Sequence, residues 1–313
     1  MSENTSKEIR STLTPEGFIE LSIATTKKPV PLEHEVLVKV EASPINPSDL
    51  GLLISFAADL DSLNTRGSGD NTLTSMRVHP ALMGTMKSRL NQAMPVGNEG
   101  AGVIEASGSN STTLIGKLVG VAGGAMYSQF RCVPAHNCLI MNDDTLATEA
   151  ASSFVNPLTV LAFVETMRME NHHALLNTAA ASNLGKMLIK VCMDDAIPLV
   201  NIVRTDEQVK TLKELGAEYV LDSSDQNFMR NLIEALTVTG ATLGFDATGG
   251  GNDGKLAGQI LAAMEVAANK KSKEYSRYGS DTYKQVYIYG GLDQSPTILN
   301  RSFGMQWGLG GWL

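Results

Sequence analysis

The chain has 313 residues, 43% of them hydrophobic and 19% charged, with a formal net charge of −8. That is enough apolar material for two ordinary domains with packed cores, and it excludes a disordered polypeptide. The acidic balance repels a phosphate backbone and so excludes nucleic acid as a general partner, while a local basic pocket for one phosphate stays compatible with it.

Met1 to Gly17 is polar and mixed in charge, without the apolar centre of a signal peptide. No apolar run is long enough to cross a bilayer, so a cytoplasmic protein with no membrane contact is expected. From Glu35 to about Val133 the apolar runs are short and cut by Gly, Pro and Asn, as in Val36–Val40, Gly102–Ile104 and Leu118–Val121. They read as an irregular, mostly β domain over residues 1–150. An insertion is expected at about 54–93, where no strand alternation is evident, with helix near Pro80 to Leu90. Three cysteines, Cys132, Cys138 and Cys192, are an odd and sparse set that fits free thiols in a reducing compartment.

From about Ala147 the texture changes to alternating strands and helices. Strands are expected at Ala174–Thr178, Pro198–Val203, Tyr219–Leu221, Leu243–Ala247 and Gln285–Tyr289. Helices are expected at Leu184–Met193, Phe228–Thr237 and Leu256–Ala268, and after Thr205, where Gln208 three residues on suggests a capping box and Gly216 a stop. Strands separated by amphipathic helices make a parallel sheet with crossovers, so the fold class is α/β. This doubly wound domain is assigned to 151–293. Lys270 to Lys284 reads as a polar surface excursion.

Between the first of these strands and its helix lies Thr178-Ala179-Ala180-Ala181-Ser182-Asn183-Leu184-Gly185. In a doubly wound sheet a dinucleotide pyrophosphate sits here, on backbone N–H groups at a helix N-terminus. The G-x-G-x-x-G spacing falls on Ala180, Ser182 and Gly185, and only the last is glycine, so a plain strand–turn–helix connection fits these residues too. NAD-selective sites end the second strand with an acid that accepts from the ribose hydroxyl. Here Arg204 stands at that place, and an arginine grips a 2′-phosphate as a charged fork, although a solvated surface arginine has the same appearance. The cofactor expected is therefore NADPH.

These segments, together with Ala42-Ser43-Pro44-Ile45-Asn46-Pro47-Ser48-Asp49, Val96-Gly97-Asn98-Glu99-Gly100, Val155-Asn156-Pro157-Leu158-Thr159, Leu215-Gly216-Ala217-Glu218-Tyr219-Val220 and Tyr289-Gly290-Gly291, occur in a family's order. The chain resembles the zinc-free branch of the medium-chain dehydrogenase/reductase superfamily, especially NADPH:quinone oxidoreductases and 2-enoyl thioester reductases. The resemblance implies a GroES-like catalytic domain followed by a Rossmann domain. It implies Asn46 beside the nicotinamide, Asn156 and Thr159 at the entrance to the cofactor cleft, Ala180, Ala181, Ser182, Asn183, Leu184 and Gly185 around the phosphates, Arg204 on the 2′-phosphate, and Tyr289, Gly290 and Gly291 by the nicotinamide ribose. Asn46 and Asn156 each precede a proline and read equally as turn formers, and Gly290-Gly291 as a strand exit.

The chain departs from the wider superfamily in three ways. Pro44 and Asn98-Glu99 stand where the zinc branch has its ligands, so no metal is expected. No tyrosine precedes Tyr127, so the proton donor of enoyl reductases has no counterpart soon after the first motif; Asn46 and Tyr127 are the catalytic candidates, with Tyr127 also readable as a packing residue. Residues 294–313 read as the start of a segment returning to the catalytic domain, cut short at Leu313. The function expected is zinc-independent hydride transfer from NADPH to a quinone or enone acceptor; the alternatives are 2-enoyl thioester reduction and a non-catalytic NADPH-binding protein. The partner expected besides a small-molecule substrate is a second copy of the chain, because Phe303 to Leu313 would be an exposed apolar patch on a monomer.

Overall fold

The computed structural model describes residues 4–55, 58–272 and 274–313. The chain divides into two compact units, Met1–Val155 and Asn156–Leu313. Among the described residues, no helix is long and apolar enough to cross a membrane.

The first unit holds two five-stranded antiparallel sheets. Its elements in chain order are β1 (Thr5–Leu13), β2 (Phe18–Lys27), β3 (Glu35–Ala42), α1 (Pro47–Leu53), β4 (Ala58–Arg66), β5 (Leu73–Val78), β6 (Met94–Pro95), β7 (Glu99–Ser107), β8 (Leu118–Ala122), β9 (Phe130–Pro134), β10 (Cys138–Ile140) and α2 (Ala147–Ala150). One sheet runs β4-β5-β2-β1-β6 and the other β10-β8-β7-β3-β9. The second is built on the runs visible in the sequence: Val36, Val38, Ile104, Val119, Val121 and Val133 close over Met126 as its core. The first sheet corrects the reading of two stretches. The N-terminal residues pair over the whole of β1 and β2, from Thr5↔Lys27 to Leu13↔Ile19. The supposed insertion supplies β4 and β5, which extend that sheet from β2. β4 is largely exposed and its pairing with β5 shifts register between Asp59 and Asn64. A solvent-facing, bulged edge strand needs no apolar alternation, so its sequence carries none. Where helix was expected near Pro80–Leu90 there are two single 3₁₀ turns, Pro80–Leu82 and Lys87–Arg89.

Helix α3 (Val155–Met169) leads into the second unit. There follow β11 (Leu175–Asn177), α4 (Asn183–Asp194), β12 (Leu199–Val203), α5 (Asp206–Glu214), β13 (Tyr219–Asp222), α6 (Phe228–Thr239), β14 (Leu243–Asp246), α7 (Leu256–Lys271), β15 (Lys284–Ile288) and β16 (Trp307–Gly311). The six strands form one parallel sheet in the order β13-β12-β11-β14-β15-β16. Strands buried on both faces read as unbroken apolar runs, which is why Leu199-Val200-Asn201-Ile202-Val203 was legible. Leu176, Val200 and Val286 face one core with α6 and α7, whereas Leu175, Leu199 and Phe245 face another with α3 and α4. The fold is a mostly β unit followed by a doubly wound Rossmann-type unit.

The end of the chain differs from expectation. Trp307–Gly311 does not leave the parallel sheet but lies parallel to β15, pairing from Lys284↔Trp307 to Ile288↔Gly311. Phe303 is fully buried against Trp307, and the Trp312 ring meets Phe163 edge-on at 4.9 Å, its indole N–H donating to Thr166 Oγ1. Most of the expected apolar patch is thus taken up by the unit's own core, because the aromatic rings find partners there.

Candidate functional site

In the first unit, the motif around Asn46 folds as a helix start. Asn46 is the N-cap of α1, with Pro47 as first helical residue, and its backbone N–H donates to Asp49 Oδ2 at 2.8 Å. The other Asp49 oxygen accepts from Asn98 N at 2.8 Å, so one fully buried carboxylate ties the two motifs together. Asn46 Nδ2 donates to Glu99 Oε1 at 2.9 Å. Glu99 Oε2 accepts from the backbone N–H groups of Phe154 and Val155, both at 2.9 Å. Glu99 is 1% exposed, and a carboxylate this buried is tolerated because every bond it makes is from a donor. Tyr127 donates its hydroxyl to the Pro44 carbonyl at 2.8 Å. Burial first, and then the negative charges of Asp49 and Glu99, push its ionisation well above the ordinary tyrosine range. The phenol therefore stays protonated and can give a proton but not act as a base. Pro44 and Glu99 are thus occupied with Tyr127 and Asn46. Among the described residues, no group of three or more His, Cys, Asp or Glu is arranged to hold a metal.

In the second unit, strand order reverses between β11 and β14, and the loop after β11 opens there. Such a switch point at the carboxyl end of a parallel sheet is where this architecture binds ligands. Ser182 caps α4, its Oγ accepting from Gly185 N at 3.1 Å. The amides of Asn183 and Leu184 are then those which a helix N-terminus leaves without an intrahelical acceptor, the groups a phosphate takes up. Gly185 is obligatory, since a Cβ there would lie 2.2 Å from the Ala180 carbonyl oxygen. Ala180 itself is fully buried and its N–H donates to Ile202 O, so it shapes the turn instead of offering a phosphate contact. Ala179 sits at φ +48°, a strained position for a residue with a side chain. Ala181 is half-buried in the same turn.

Arg204 follows β12 with its side chain exposed, and its N–H donates to Gln208 Oε1. Thr205 caps α5 as expected, but Gln208 reaches one residue beyond the cap and so fixes the backbone of Arg204. Asp293 is close enough to feel that charge: its carboxyl is held below the usual range chiefly by the Ser295 amide and further by Arg204. Tyr289 is half-buried and meets the Phe163 ring edge-on at 4.8 Å. Burial and then Asp246 hold its hydroxyl protonated. Gly290 lies against Ala247, where a Cβ would come 2.5 Å from the carbonyl oxygen, and Gly291 borders open space. Asn156 and Thr159 stand three residues apart in the first turns of α3, on one face of the helix.

Three acids belong to these clusters without having been singled out from the sequence. Asp49 and Glu99 lay inside quoted motifs, but their partners are distant in the chain. Asp246 is fully buried at the end of β14, and its Oδ1 accepts from Thr178 Oγ1 at 2.7 Å, Thr248 N at 2.9 Å and Thr248 Oγ1 at 2.7 Å. It locks the two loops that flank the switch point. An acid closing the apolar run Leu243-Gly244-Phe245 was the visible signal.

No family model matches the chain. A mitochondrial enoyl-[acyl-carrier-protein] reductase of Caenorhabditis elegans is 29% identical over 206 residues, covering 62% of this chain and 51% of that protein. A quinone oxidoreductase of Pseudomonas aeruginosa is 25% identical over 158 residues, 49% of each. The chain spans about half the length of these relatives. A crystal structure from Mesorhizobium loti, assigned as an NADPH:quinone reductase, superposes with a TM-score of 0.69 at 24% identity, over 100% of this chain and 83% of that one. The fold and the loop at the switch point define a dinucleotide-type α/β protein carrying a β-rich N-terminal unit. In sequence the chain is similar to enoyl reductases and a quinone oxidoreductase, and in fold to an NADPH:quinone reductase.

Proposed function

We propose that the protein is an NADPH-dependent oxidoreductase that reduces a conjugated carbonyl compound, a quinone or enone, without a metal. The observation that carries this reading is the pairing, in one parallel sheet, of a tight capped loop at the switch point with an exposed arginine, not an acid, at the end of β12. The loops that would hold the cofactor are tightly built: a Cβ at Gly185 or Gly290 would strike the backbone of Ala180 or Ala247, so both turns need glycine to keep their shape. The amides of Asn183 and Leu184 would hold the pyrophosphate and Arg204 the 2′-phosphate.

When bound, the nicotinamide supplies the hydride. The protein's part is to orient and to move a proton. Glu99 holds the Asn46 amide in one orientation, which makes Asn46 a fixed hydrogen-bonding group instead of a rotating one. Tyr127, kept protonated, would donate to the substrate oxygen as negative charge develops there. A second reading, 2-enoyl thioester reduction, is favoured by the 29% identity to a mitochondrial enoyl reductase. Steady-state assays with quinones, enones and crotonyl thioesters separate the two, and failure to turn over any of them with NADPH leaves only a binding protein.

Arg204→Ala is expected to weaken NADPH binding by about 1.5–3 kcal/mol, the scale of a charged hydrogen bond, and to leave NADH nearly unchanged. Fluorescence titration measures both, and equal affinities of the wild type for NADPH and NADH would overturn the assignment of Arg204. Ser182→Leu puts a branched side chain into the phosphate loop and is expected to abolish measurable NADPH binding. Because it also removes the cap of α4, the apo protein should lose about 1 kcal/mol. Normal NADPH binding by this variant would remove the loop from the site.

The homodimer is proposed from the edge of the parallel sheet, since among the described residues β16 is paired on one side only, to β15. An unpaired edge strand is a template for a second copy. Light scattering at micromolar concentration should give twice the chain mass of 33.4 kDa; a clean monomer would refute it.

A further inference from the structure

At the opposite end of the parallel sheet from the phosphate loop, the second unit carries a cavity of about 350 Å³. It is bounded by the last turns of α4, the start of β12, the approach to β13 and the end of α6. Its walls include Ile189, Cys192, Ile197, Leu199 and Val238. The volume lies within the range of small-molecule sites, about 300–1,000 Å³, and equals the liquid volume of on the order of ten waters.

One wall residue is out of place for a packing defect. Asn201 is the central residue of β12, flanked by Val200 and Ile202, and is 1% exposed. Its amide nitrogen makes only long bonds, 3.4 Å to Leu199 O and 3.3 Å to Tyr219 O. Its Oδ1 has no partner among the described residues. Asn177, its register partner on β11, is also fully buried, and neither of its amide atoms has a partner among them. A buried amide oxygen without a donor is costly, and an apolar residue would serve a mere strand better. A single water, whose share of liquid volume is about 30 Å³, would leave most of a cavity of about 350 Å³ unfilled. Among the described residues no lysine, arginine or histidine lines the cavity, and Glu218 is its charged member. That selects against anions.

We infer that this cavity is a second ligand site, separate from the cofactor loop, for a small neutral molecule with an apolar body and one hydroxyl or N–H group that donates to Asn201. Phenols and short amphiphilic alcohols are the class that meets these terms. The inference does not depend on the cofactor reading.

The experiment is a titration of the intact apo chain with p-cresol, followed by amide NMR shifts and, at saturation, a soaked crystal structure. One saturable site is expected, with shifts gathered at residues 192–201, 216–219 and 238–239. Benzoate, of similar size but anionic, should bind at least about tenfold more weakly. Asn201→Leu should cost about tenfold, the worth of one buried hydrogen bond. Val238→Trp is the second variant: Val238 is 69% exposed, so a bulky ring there closes the mouth while the fold is kept, as circular dichroism would verify. It should block p-cresol. Absence of saturable shifts, unchanged binding in the folded Val238→Trp protein, or density for ordered water alone would overturn the proposal.

Discussion

Glu265→Gln is expected to destabilise the second unit by about 3–5 kcal/mol, the cost of removing one partner from a buried ion pair. Lys284 is 0% and Glu265 is 4% exposed. The Glu265 carboxylate accepts from Lys284 Nζ at 2.5 Å, from Ser280 N at 2.8 Å and Oγ at 2.6 Å, and from Asn269 Nδ2 at 2.7 Å. Gly279 and Gly304 crowd the same carboxylate, and a Cβ on either would fall within 3 Å of it. One group thus fastens α7, the polar excursion, the start of β15 and the approach to β16. With Gln in its place, the Lys284 ammonium stays buried beside a neutral amide. In a unit of this size the loss should lower the melting temperature by about 10 °C.

The same carboxylate sets a pH dependence. Burial alone would raise its pKa, but the bonds from Lys284, Ser280 and Asn269 outweigh this and hold it at about 2. A depressed folded-state pKa contributes stability that is fully present above the unfolded value, about 4.5, and is lost as pH falls from there toward 2. Denaturant melts at pH 7 and pH 3 should therefore differ more for the wild type than for Glu265→Gln. Equal differences would show that the pair contributes nothing.

Glu99→Ala should have an effect of similar size in the first unit. It strips the acceptor from three donors at once, the Asn46 side-chain amide and the N–H groups of Phe154 and Val155. Each buried donor left unpaired costs about 1–3 kcal/mol, so a loss of about 3 kcal/mol or more is expected, allowing for water entering the space. Because Asn46 loses the group that orients it, turnover should fall in addition, measured under conditions where the variant is folded. A variant that loses less than about 1 kcal/mol and keeps full turnover would mean that Glu99 neither supports the unit nor positions Asn46.

Of the two clusters, the one in the parallel sheet was the more legible. The loop Thr178–Gly185 and Arg204 are contiguous with the elements that position them, so a strand, a cap and a helix in sequence already located them. The cluster around Asn46 was visible only as motifs. That Asn46 depends on Glu99, and Asn98 on Asp49, follows from contacts spanning about fifty residues, which no local pattern encodes.

The amino-acid sequence by itself determined the parallel sheet. β12, β13 and β14 are each a short apolar run between amphipathic helices, and local signals of that kind survive without knowledge of the partner strand. Tertiary structure alone decided the rest. Ser6, Arg10 and Ser11 in β1, and nearly all of β4, have no apolar alternation, and they are strands because a neighbouring strand supplies the hydrogen bonds. Ile19, Leu21 and Ile23 in β2 did alternate, a weak signal set among polar residues. Trp307–Gly311 joined the parallel sheet because β15 offered an open edge and the core offered room for its rings. Lys284 and Glu265, nineteen residues apart, read as surface charges until the fold buried them together, since only burial converts a pair of solvated ions into a structural bond.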